Sequence, residues 1–509
     1  MYLCRTQIKT IKVNQNNLNI MAEENSNVLT NHYDKKKIVT FLVIMVVTAI
    51  VWNLPIDTFG IDGLTIVQQR VIAIFVFATL SWLTECIPSW ATSLGIITIM
   101  CLTVSDNALM PFKGENIGEL MDSKHIMASF ADPTIMLFLG GFILAAAATK
   151  SGLDVLLARN LIRPFGTKSE NVLLGFLLIT GIFSMFVSNT ATAAMMLTFL
   201  TPVFAALPAN GKGRIALTMS IPIAANLGGM GTPIGTPPNM IALKVLNDPA
   251  GLNMGIDFGH WMAFMFPLVI ILLVISWRIL LFFFPFSKKN IQLEIKGTVH
   301  RGWRMNVVIF TFIATILLWV IPKSITGIDS YNVALLPMGV FAVTGVITAK
   351  DLQEINWSVI WMVAGGFALG FGMNGSGLAD AALESIPFGN WSPIVILLIS
   401  GLICYILSNF ISNTATAALL VPILAVVCTG MGDKLSALGG TSTILIGIAI
   451  SASSAMCLPI STPPNAIAYS TGLVKQNDML RMGLICGIIS LILGYVVLYF
   501  IGNSGFLLH

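Results

Sequence analysis

One seven-residue motif occurs twice in this chain, and this duplication constrains the fold more than any other feature. The stretches 188–194 and 412–418 both read SNTATAA, and each lies inside a long apolar segment. A Gly-Gly-Phe sequence precedes each copy, and a Thr-Pro-Pro-Asn sequence follows each one. The members of every pair are about 225 residues apart and keep the same order, which indicates an internal duplication.

The duplicated segments are suited to a lipid bilayer. Hydrophobic residues make up 56% of the chain and charged residues 10%, whereas soluble domains carry about 25% charged residues. Residues 1–37 are polar and lack the apolar stretch and cleavage site of a signal peptide, so we predict a cytoplasmic tail there. Apolar segments follow at 38–56, 64–83, 86–104, 133–152, 172–207, 213–246, 258–285, 303–322, 331–349, 357–376, 392–428, 437–472 and 480–503.

Four of these segments are much longer than the ~20 residues of a membrane-spanning helix, and all four carry the repeated motifs. We predict re-entrant hairpins over 172–207 and 392–428, because the motif divides each into halves that are short for a crossing. The segments 213–246 and 437–472 are each predicted to cross once as a broken helix. Broken backbone inside a membrane is tolerated only within protein or beside a water-filled cavity.

The sequence therefore predicts an all-α polytopic membrane protein with about 11 transmembrane helices and two re-entrant hairpins. A first helix at 38–56 precedes a first repeat at 57–285, a basic cytoplasmic linker at 286–302 and a second repeat at 303–509. Lysine and arginine are enriched in loops that this topology places inside, so the N-terminus is expected inside and the C-terminus outside. Because each repeat crosses an odd number of times, the two repeats are expected to be inverted, with a binding site between them at the midplane.

The motifs contain residues that begin helices. Serine, threonine and asparagine cap helix N-termini, and proline is favoured in the first turn. Half-helices are expected to begin after Ser188, Ser412, Thr236 and Thr462. Their free N–H groups and positive dipole ends attract anions, while hydroxyl, amide and carbonyl oxygens offer ligands to a small cation.

The motifs also lack every charged residue type and histidine. An anion bound there needs a counter-charge, which Na+ supplies without a protein carboxylate. Coupling to protons ranks below sodium, since a proton relay needs an ionisable group in the membrane. The histidines and cysteines have no metal-ligand spacing, and no nucleophile with a base is found, so we expect neither a cofactor nor an enzyme. For Glu85, an acid near a helix end, a structural hydrogen bond is expected.

These motifs resemble those of the divalent anion/sodium symporter family, the INDY-type di- and tricarboxylate transporters, and the stretch 82–88 (WLTECIP) resembles a further signature of that family. The resemblance implies a homodimer with scaffold and transport domains that works as an elevator. It implies one Na+ site formed by Ser184, Ser188, Asn189 and the Gly235 backbone, and a second formed by Ser408, Ser412, Asn413 and Ser461. It implies a substrate site lined by Asn189, Thr190, Thr236, Pro237, Asn413, Thr414, Thr462 and Pro463.

We therefore predict a secondary active transporter in the plasma membrane that carries dicarboxylates of the succinate, malate and 2-oxoglutarate class, with citrate as a further candidate, coupled to Na+. The principal alternative is a sodium-independent dicarboxylate exchanger. A sulfate transporter and an anion channel are less favoured, and nucleic acid is not an expected partner. Motif spacing does not distinguish carboxylate from sulfate, because that choice depends on distances between the motifs.

Overall fold

The computed structural model describes residues 35–205, 207–209, 211–248, 251–291, 299 and 302–506. In these residues the regular structure is helical, apart from two isolated β-bridges, so the predicted all-α class is confirmed. The predicted tail at 1–37 lies outside the described residues up to residue 34. The predicted linker at 286–302 lies outside them at 292–298, 300 and 301.

The helices of eight residues or more are numbered in chain order. The first part of the chain forms α1 (Lys35–Asn53), α2 (Ile66–Thr84), α3 (Ser89–Thr103), α4 (Pro133–Ser151), α5 (Leu153–Ile162), α6 (Ser169–Phe186), α7 (Asn189–Ala205), α8 (Lys212–Gly229), α9 (Pro237–Leu246) and α10 (Phe258–Phe283). The second part forms α11 (Trp303–Val320), α12 (Ser330–Val343), α13 (Trp357–Gly375), α14 (Leu378–Ser385), α15 (Pro393–Ser408), α16 (Asn413–Met431), α17 (Thr441–Ser454), α18 (Pro463–Ser470) and α19 (Gln476–Asn503). In order and relative length, α11–α19 repeat α2–α10.

Nine helical stretches of the described residues are long and apolar enough to cross a membrane, and four further apolar helices are shorter. Seven of the 11 predicted crossings are among these stretches; α3 and α12 are shorter, and the segments 213–246 and 437–472 are each divided into two helices. The long stretches also include α6 and α16, which belong to the predicted hairpins. The placement of the hairpin tips at mid-membrane therefore stays a prediction.

The helices form two packed groups. In the first group α1 packs on α2, α3 on α13, and α4 on α12. In the second group α6 and α10 pack on α8, α15 and α19 pack on α17, and α10 packs on α19. The second group contains all four broken segments, so the duplicated SNTATAA and Thr-Pro-Pro-Asn motifs are held in one body, while α2, α3, α4 and their counterparts, which carry the Gly-Gly pairs, form another.

Within the second group the two repeats interlock. The half-helix α9 of the first repeat packs on α16 and α17 of the second, and α18 of the second packs on α7 and α8 of the first. The contacts of α9 with α16 and α17 are therefore equivalent to the contacts of α18 with α7 and α8, with the two repeats exchanged. This exchange brings each Thr-Pro-Pro-Asn motif to the duplicated motif of the opposite repeat.

The two Gly-Gly pairs allow close helix packing. A Cβ at Gly140 on α4 would overlap the carbonyl of Ala334 on α12. A Cβ at Gly365 on α13 would overlap Ser93 on α3, which is the equivalent pair of helices with the two repeats exchanged. Glycine is required at both positions because a neighbouring backbone occupies the space of a side chain.

Gly365→Ala is expected to destabilise the protein, although an alanine inside a helix normally stabilises it. Forcing a methyl group into a well-packed interface costs about 1–3 kcal/mol. Gly370→Ala on the same helix is the control, since its Cβ would lie 3.9 Å from Pro422 Cγ, an ordinary contact. The melting temperatures of the purified variants in detergent measure the difference, and equal values would contradict the packing argument.

The expectation for Glu85 is wrong. This residue follows α2 with a positive φ of 47°, and its side chain is exposed. Within the described residues its carboxylate makes no hydrogen bond, since the turn after α2 directs it to the surface. We assign Glu85 no function.

Candidate functional site

The four breaks in the second group of helices occur at the repeated motifs. The chain leaves α6 at Phe186 and enters α7 at Asn189, and it leaves α15 at Ser408 and enters α16 at Asn413. Ser188 and Ser412 cap the second helix of each pair: the Ser188 hydroxyl accepts a hydrogen bond from Ala191 N at 3.3 Å, and the Ser412 hydroxyl accepts one from Ala415 N at 3.1 Å. The predicted helix starts are therefore present at both duplicated motifs.

At the first motif, oxygen atoms from three chain segments surround the side chain of Asn189. Ser184 Oγ lies 2.6 Å from Asn189 Oδ1 and donates to the carbonyl of Ala225 at 2.7 Å. The same end of the Asn189 amide lies 3.2 Å from the carbonyl oxygens of Gly235 and Ala225. Three of the four predicted ligands of the first cation, Ser184, Asn189 and Gly235, are thus brought together.

The two orientations of the Asn189 amide suit the cluster without a cation and the cluster with one. With Nδ2 turned inward, the side chain donates hydrogen bonds to Ser184, Ala225 and Gly235. With Oδ1 turned inward, the amide oxygen lies beside the Ser184 hydroxyl, which is then the donor of the cluster, and beside the carbonyl oxygens of Ala225 and Gly235. The second orientation suits a hard cation, which binds carbonyl and hydroxyl oxygens at broken helices.

The second motif has a different arrangement. Ser408 Oγ and Asn413 Oδ1 are buried and have no hydrogen-bond partner within the described residues. Ser461, predicted to join them, instead donates to the backbone carbonyl of Asn409 at 2.9 Å and lies 3.2 Å from Asn409 Oδ1. Asn409 Oδ1 also accepts from Cys457 N at 2.8 Å. Two unpaired oxygens are therefore available here, beside a network centred on Asn409.

Asn409 was missed by the sequence analysis. It lies one residue beyond α15, and its amide nitrogen donates to the carbonyl of Tyr405 at 2.8 Å. The equivalent position in the first repeat is Met185, so duplication gave no signal for it. Asn409 connects the end of α15 to the break between α17 and α18, and it holds Ser461 in place.

The asparagine of each Thr-Pro-Pro-Asn motif closes the break in its own helix. Asn239 Nδ2 donates to the carbonyls of Thr232 at 2.8 Å and Gly229 at 3.0 Å. Asn465 Nδ2 donates in the same way to Met456 at 2.8 Å and Leu458 at 2.9 Å. These bonds satisfy carbonyls that a broken helix leaves without N–H partners. Their duplicated position was a usable signal, but the sequence analysis gave them no role.

The residues predicted to line the substrate site differ in exposure between the repeats. Thr190 and Pro463 are exposed and Pro237 is half-buried, whereas Thr414, Thr236 and Thr462 are buried. The exposed residues begin α7 and α18, which pack together, and the buried ones include those at the starts of α16 and α9. Thr190 and Pro463 thus expose the site at the starts of α7 and α18.

Within the part of the chain that the structure describes, no group of three or more histidine, cysteine or acidic residues could hold a metal ion. The half-helix α9 carries an ion pair in its last turn, where Lys244 Nζ lies 2.9 Å from Oδ2 of Asp132, the N-cap residue of α4. The candidate site is therefore built from neutral oxygens, amides and helix termini.

Comparisons with known proteins agree on a class of transporters. A family model described as citrate transporter matches residues 79–439. The sodium-dependent dicarboxylate transporter SdcS of Staphylococcus saprophyticus is 29% identical over 529 residues, covering 96% of this chain and 97% of that protein. The inorganic phosphate transporter PHO87 of Saccharomyces cerevisiae is 30% identical over 421 residues, which cover 82% of this chain but 44% of that longer protein.

A solved structure shares the fold. The crystal structure of the Alcanivorax borkumensis YdaH transporter covers 82% of this chain with a TM-score of 0.53 and 14% identity. The likeness extends over 99% of that chain, which supports a polytopic transporter fold. The citrate transporter model spans well over half of the present chain, so this chain belongs to that family of membrane transporters, and its relatives assign it to the divalent anion/sodium symporter group.

Proposed function

We propose that this protein is a secondary active transporter that couples the uptake of dicarboxylates to Na+. The observation that carries the proposal is the cluster of neutral oxygens around Asn189, together with the unpaired oxygens of Ser408 and Asn413. Succinate, malate and 2-oxoglutarate form the proposed substrate class, with citrate as a further candidate. The similarity to the staphylococcal sodium-dependent dicarboxylate transporter supports both the dicarboxylate substrate and the sodium dependence.

The proposed cation sites follow the repeats. Ser184, Ser188, Asn189 and the Gly235 carbonyl would hold one Na+, and the Ala225 carbonyl is an additional ligand candidate from the geometry. Ser408, Ser412 and Asn413 would hold the other, with Ser461 acting through Asn409 or rotating toward the ion. Gly235 supplies only a carbonyl where Ser461 adds a hydroxyl, so the two sites are expected to differ in affinity.

The proposed order of events follows from charge. The two Na+ ions bind first and turn the amide oxygens of Asn189 and Asn413 toward themselves. Each amide then presents its nitrogen, a donor, to the anion, and the helix starts at Thr190, Thr236, Thr414 and Thr462 add positive dipole ends. The anion binds well only after the cations, because the motifs contain no positive side chain.

Alternating access is proposed to occur by an elevator movement of the second group of helices against the first. The greater exposure of the α7 and α18 starts supports an inward-facing state, because these half-helices run to loops predicted to be cytoplasmic. The ion pair between Lys244 and Asp132 connects the two groups and would have to break during the movement. A homodimer formed through the first group stays a prediction.

The test is uptake of labelled succinate into proteoliposomes with empty lumens, with and without an inward Na+ gradient. We expect accumulation above the external concentration only with Na+. Uptake that ignores Na+ and requires a preloaded dicarboxylate would instead identify an exchanger, and uptake that never exceeds equilibrium would identify a channel. Competition by unlabelled citrate, sulfate and phosphate tests the substrate class, with phosphate included because of the yeast relative.

A further inference from the structure

One buried side chain links the two repeats at the candidate site and has no counterpart in the other repeat. Asn226 lies on α8 and is 2% exposed. Its amide nitrogen lies 3.1 Å from Thr462 Oγ1 and 3.3 Å from Asn465 Oδ1, both at the start of α18. The equivalent position on α17 is Ala452, which has no polar side chain.

The direction of these hydrogen bonds is fixed by their neighbours. Asn465 Nδ2 donates to the carbonyls of Met456 and Leu458, so Asn465 Oδ1 faces Asn226. Asn226 must therefore present its nitrogen, and each of its two N–H bonds has an acceptor. Asn226 is consequently a donor to both Thr462 and Asn465.

This arrangement decides how the hydroxyl of Thr462 can act. A hydroxyl has two acceptor lone pairs and one hydrogen to donate. Thr462 Oγ1 accepts from Asn226 Nδ2 at 3.1 Å and from the backbone N of Asn465 at 3.3 Å. Both lone pairs are occupied, and within the described residues the hydroxyl donates to no acceptor. Its hydrogen is thus left for a group that enters the site.

The first repeat lacks this arrangement. The side chain of Thr236 makes no capping bond at the start of α9. Asn239 Oδ1, the counterpart of the atom that Asn226 binds, is buried and has no partner within the described residues. The difference follows from Ala452, which cannot donate. The two threonines are therefore equivalent in sequence but not in hydrogen bonding.

We infer that Asn226 is a positioning residue that fixes the Thr462 hydroxyl as a hydrogen-bond donor to the transported anion. This inference rests on the proposed function, because it assumes that an anion binds between the motifs. A carboxylate can only accept hydrogen bonds, so a hydroxyl held as an obligatory donor recognises it, and a hydroxyl free to rotate does so less well. The second repeat would then contribute more than the first to the recognition of the anion.

The test is a double-mutant cycle with Asn226→Ala and Thr462→Val. The readout is the anion concentration that gives half-maximal thermal stabilisation of the purified full chain in saturating Na+. Succinate, citrate and phosphate are used in turn. A hydrogen bond to a charged group contributes about 1.5–3 kcal/mol, so Thr462→Val should raise this concentration about 10- to 100-fold. Asn226→Ala should raise it by a similar factor, and the double variant should match Thr462→Val alone.

Several outcomes would overturn the inference. Additive effects would mean that Asn226 acts independently of Thr462, and an unchanged anion concentration in Asn226→Ala would mean that it does not act on the anion at all. If Asn226→Ala does not fold, Asn226→Asp keeps the size but replaces the donor by an acceptor for the Thr462 hydrogen. It should weaken anion binding at least as strongly as Thr462→Val, and near-normal binding would refute the inference.

Two controls separate this inference from the proposed function. Thr92→Val removes a buried hydroxyl on α3 that has no partner within the described residues, and it should leave anion binding unchanged. The wild-type protein must be stabilised by at least one of the three anions. If none stabilises it, the proposed function fails together with the inference; if one does and the cycle is additive, only the role of Asn226 fails.

Discussion

Asn189→Ala is expected to raise the Na+ concentration for half-maximal uptake about 10- to 100-fold. The substitution removes the amide atom that lies 2.6 Å from Ser184 Oγ and 3.2 Å from the carbonyl oxygen of Gly235. An interaction of this kind with a charged group contributes about 1.5–3 kcal/mol, and each 1.4 kcal/mol corresponds to about a tenfold change in affinity. The measurement is initial succinate uptake by proteoliposomes as a function of Na+ concentration.

Asn332→Ala is the matched control for this experiment. Asn332 lies in the first turn of α12 and donates to the carboxylate of Asp329, in the first group of helices and outside the group that holds the candidate cation sites. Its replacement should leave the Na+ dependence unchanged. If Asn189→Ala raised the succinate concentration required for uptake and left the Na+ dependence alone, Asn189 would be an anion ligand and the first cation site would be wrongly assigned.

The positions of the helix breaks could be predicted from sequence because they are local features. A capping serine followed by a good helix start identifies Ser188 and Ser412, and proline after threonine identifies the starts of α9 and α18. Because each motif occurs twice, the same local pattern marks two helix breaks of each kind. Boundaries outside the motifs were less accurate, since α6 begins at Ser169 and not at 172, where the apolar run begins.

The hydrogen-bond partners could not be predicted, because they depend on how the repeats interlock. Asn226 and Thr462 are 236 positions apart and meet only because α18 packs on α8. Asn409 has a methionine at the equivalent position, so a search for duplicated residues passes over it. The duplicated sequence therefore identified the helix starts that both halves of the site share, and the structure shows the residues in which the two halves differ.

Gly229→Ala is expected to weaken Na+ binding about as strongly as Asn189→Ala, although residue 229 carries no polar side chain. A Cβ there would lie 2.6 Å from Asn189 Oδ1 and 3.1 Å from the carbonyl oxygen of Gly235. The backbone at Gly229 is helical, so alanine itself causes no strain there. The methyl group would displace the amide of Asn189, since a side-chain end moves more easily than backbone. Na+-dependent uptake measures the effect, with Gly339→Ala as the control because its Cβ would meet no atom within 4 Å.

The combination of both substitutions distinguishes displacement of Asn189 from a more general disturbance. In an Asn189→Ala background the side chain that collides with the new methyl group is already absent. Gly229→Ala should then have little further effect on the Na+ concentration for half-maximal uptake, because both substitutions act on the same ligand. A large additional loss would mean that the methyl group acts through the Gly235 carbonyl. The backbone of the broken helix, and not the asparagine, would then be the principal ligand of the first cation.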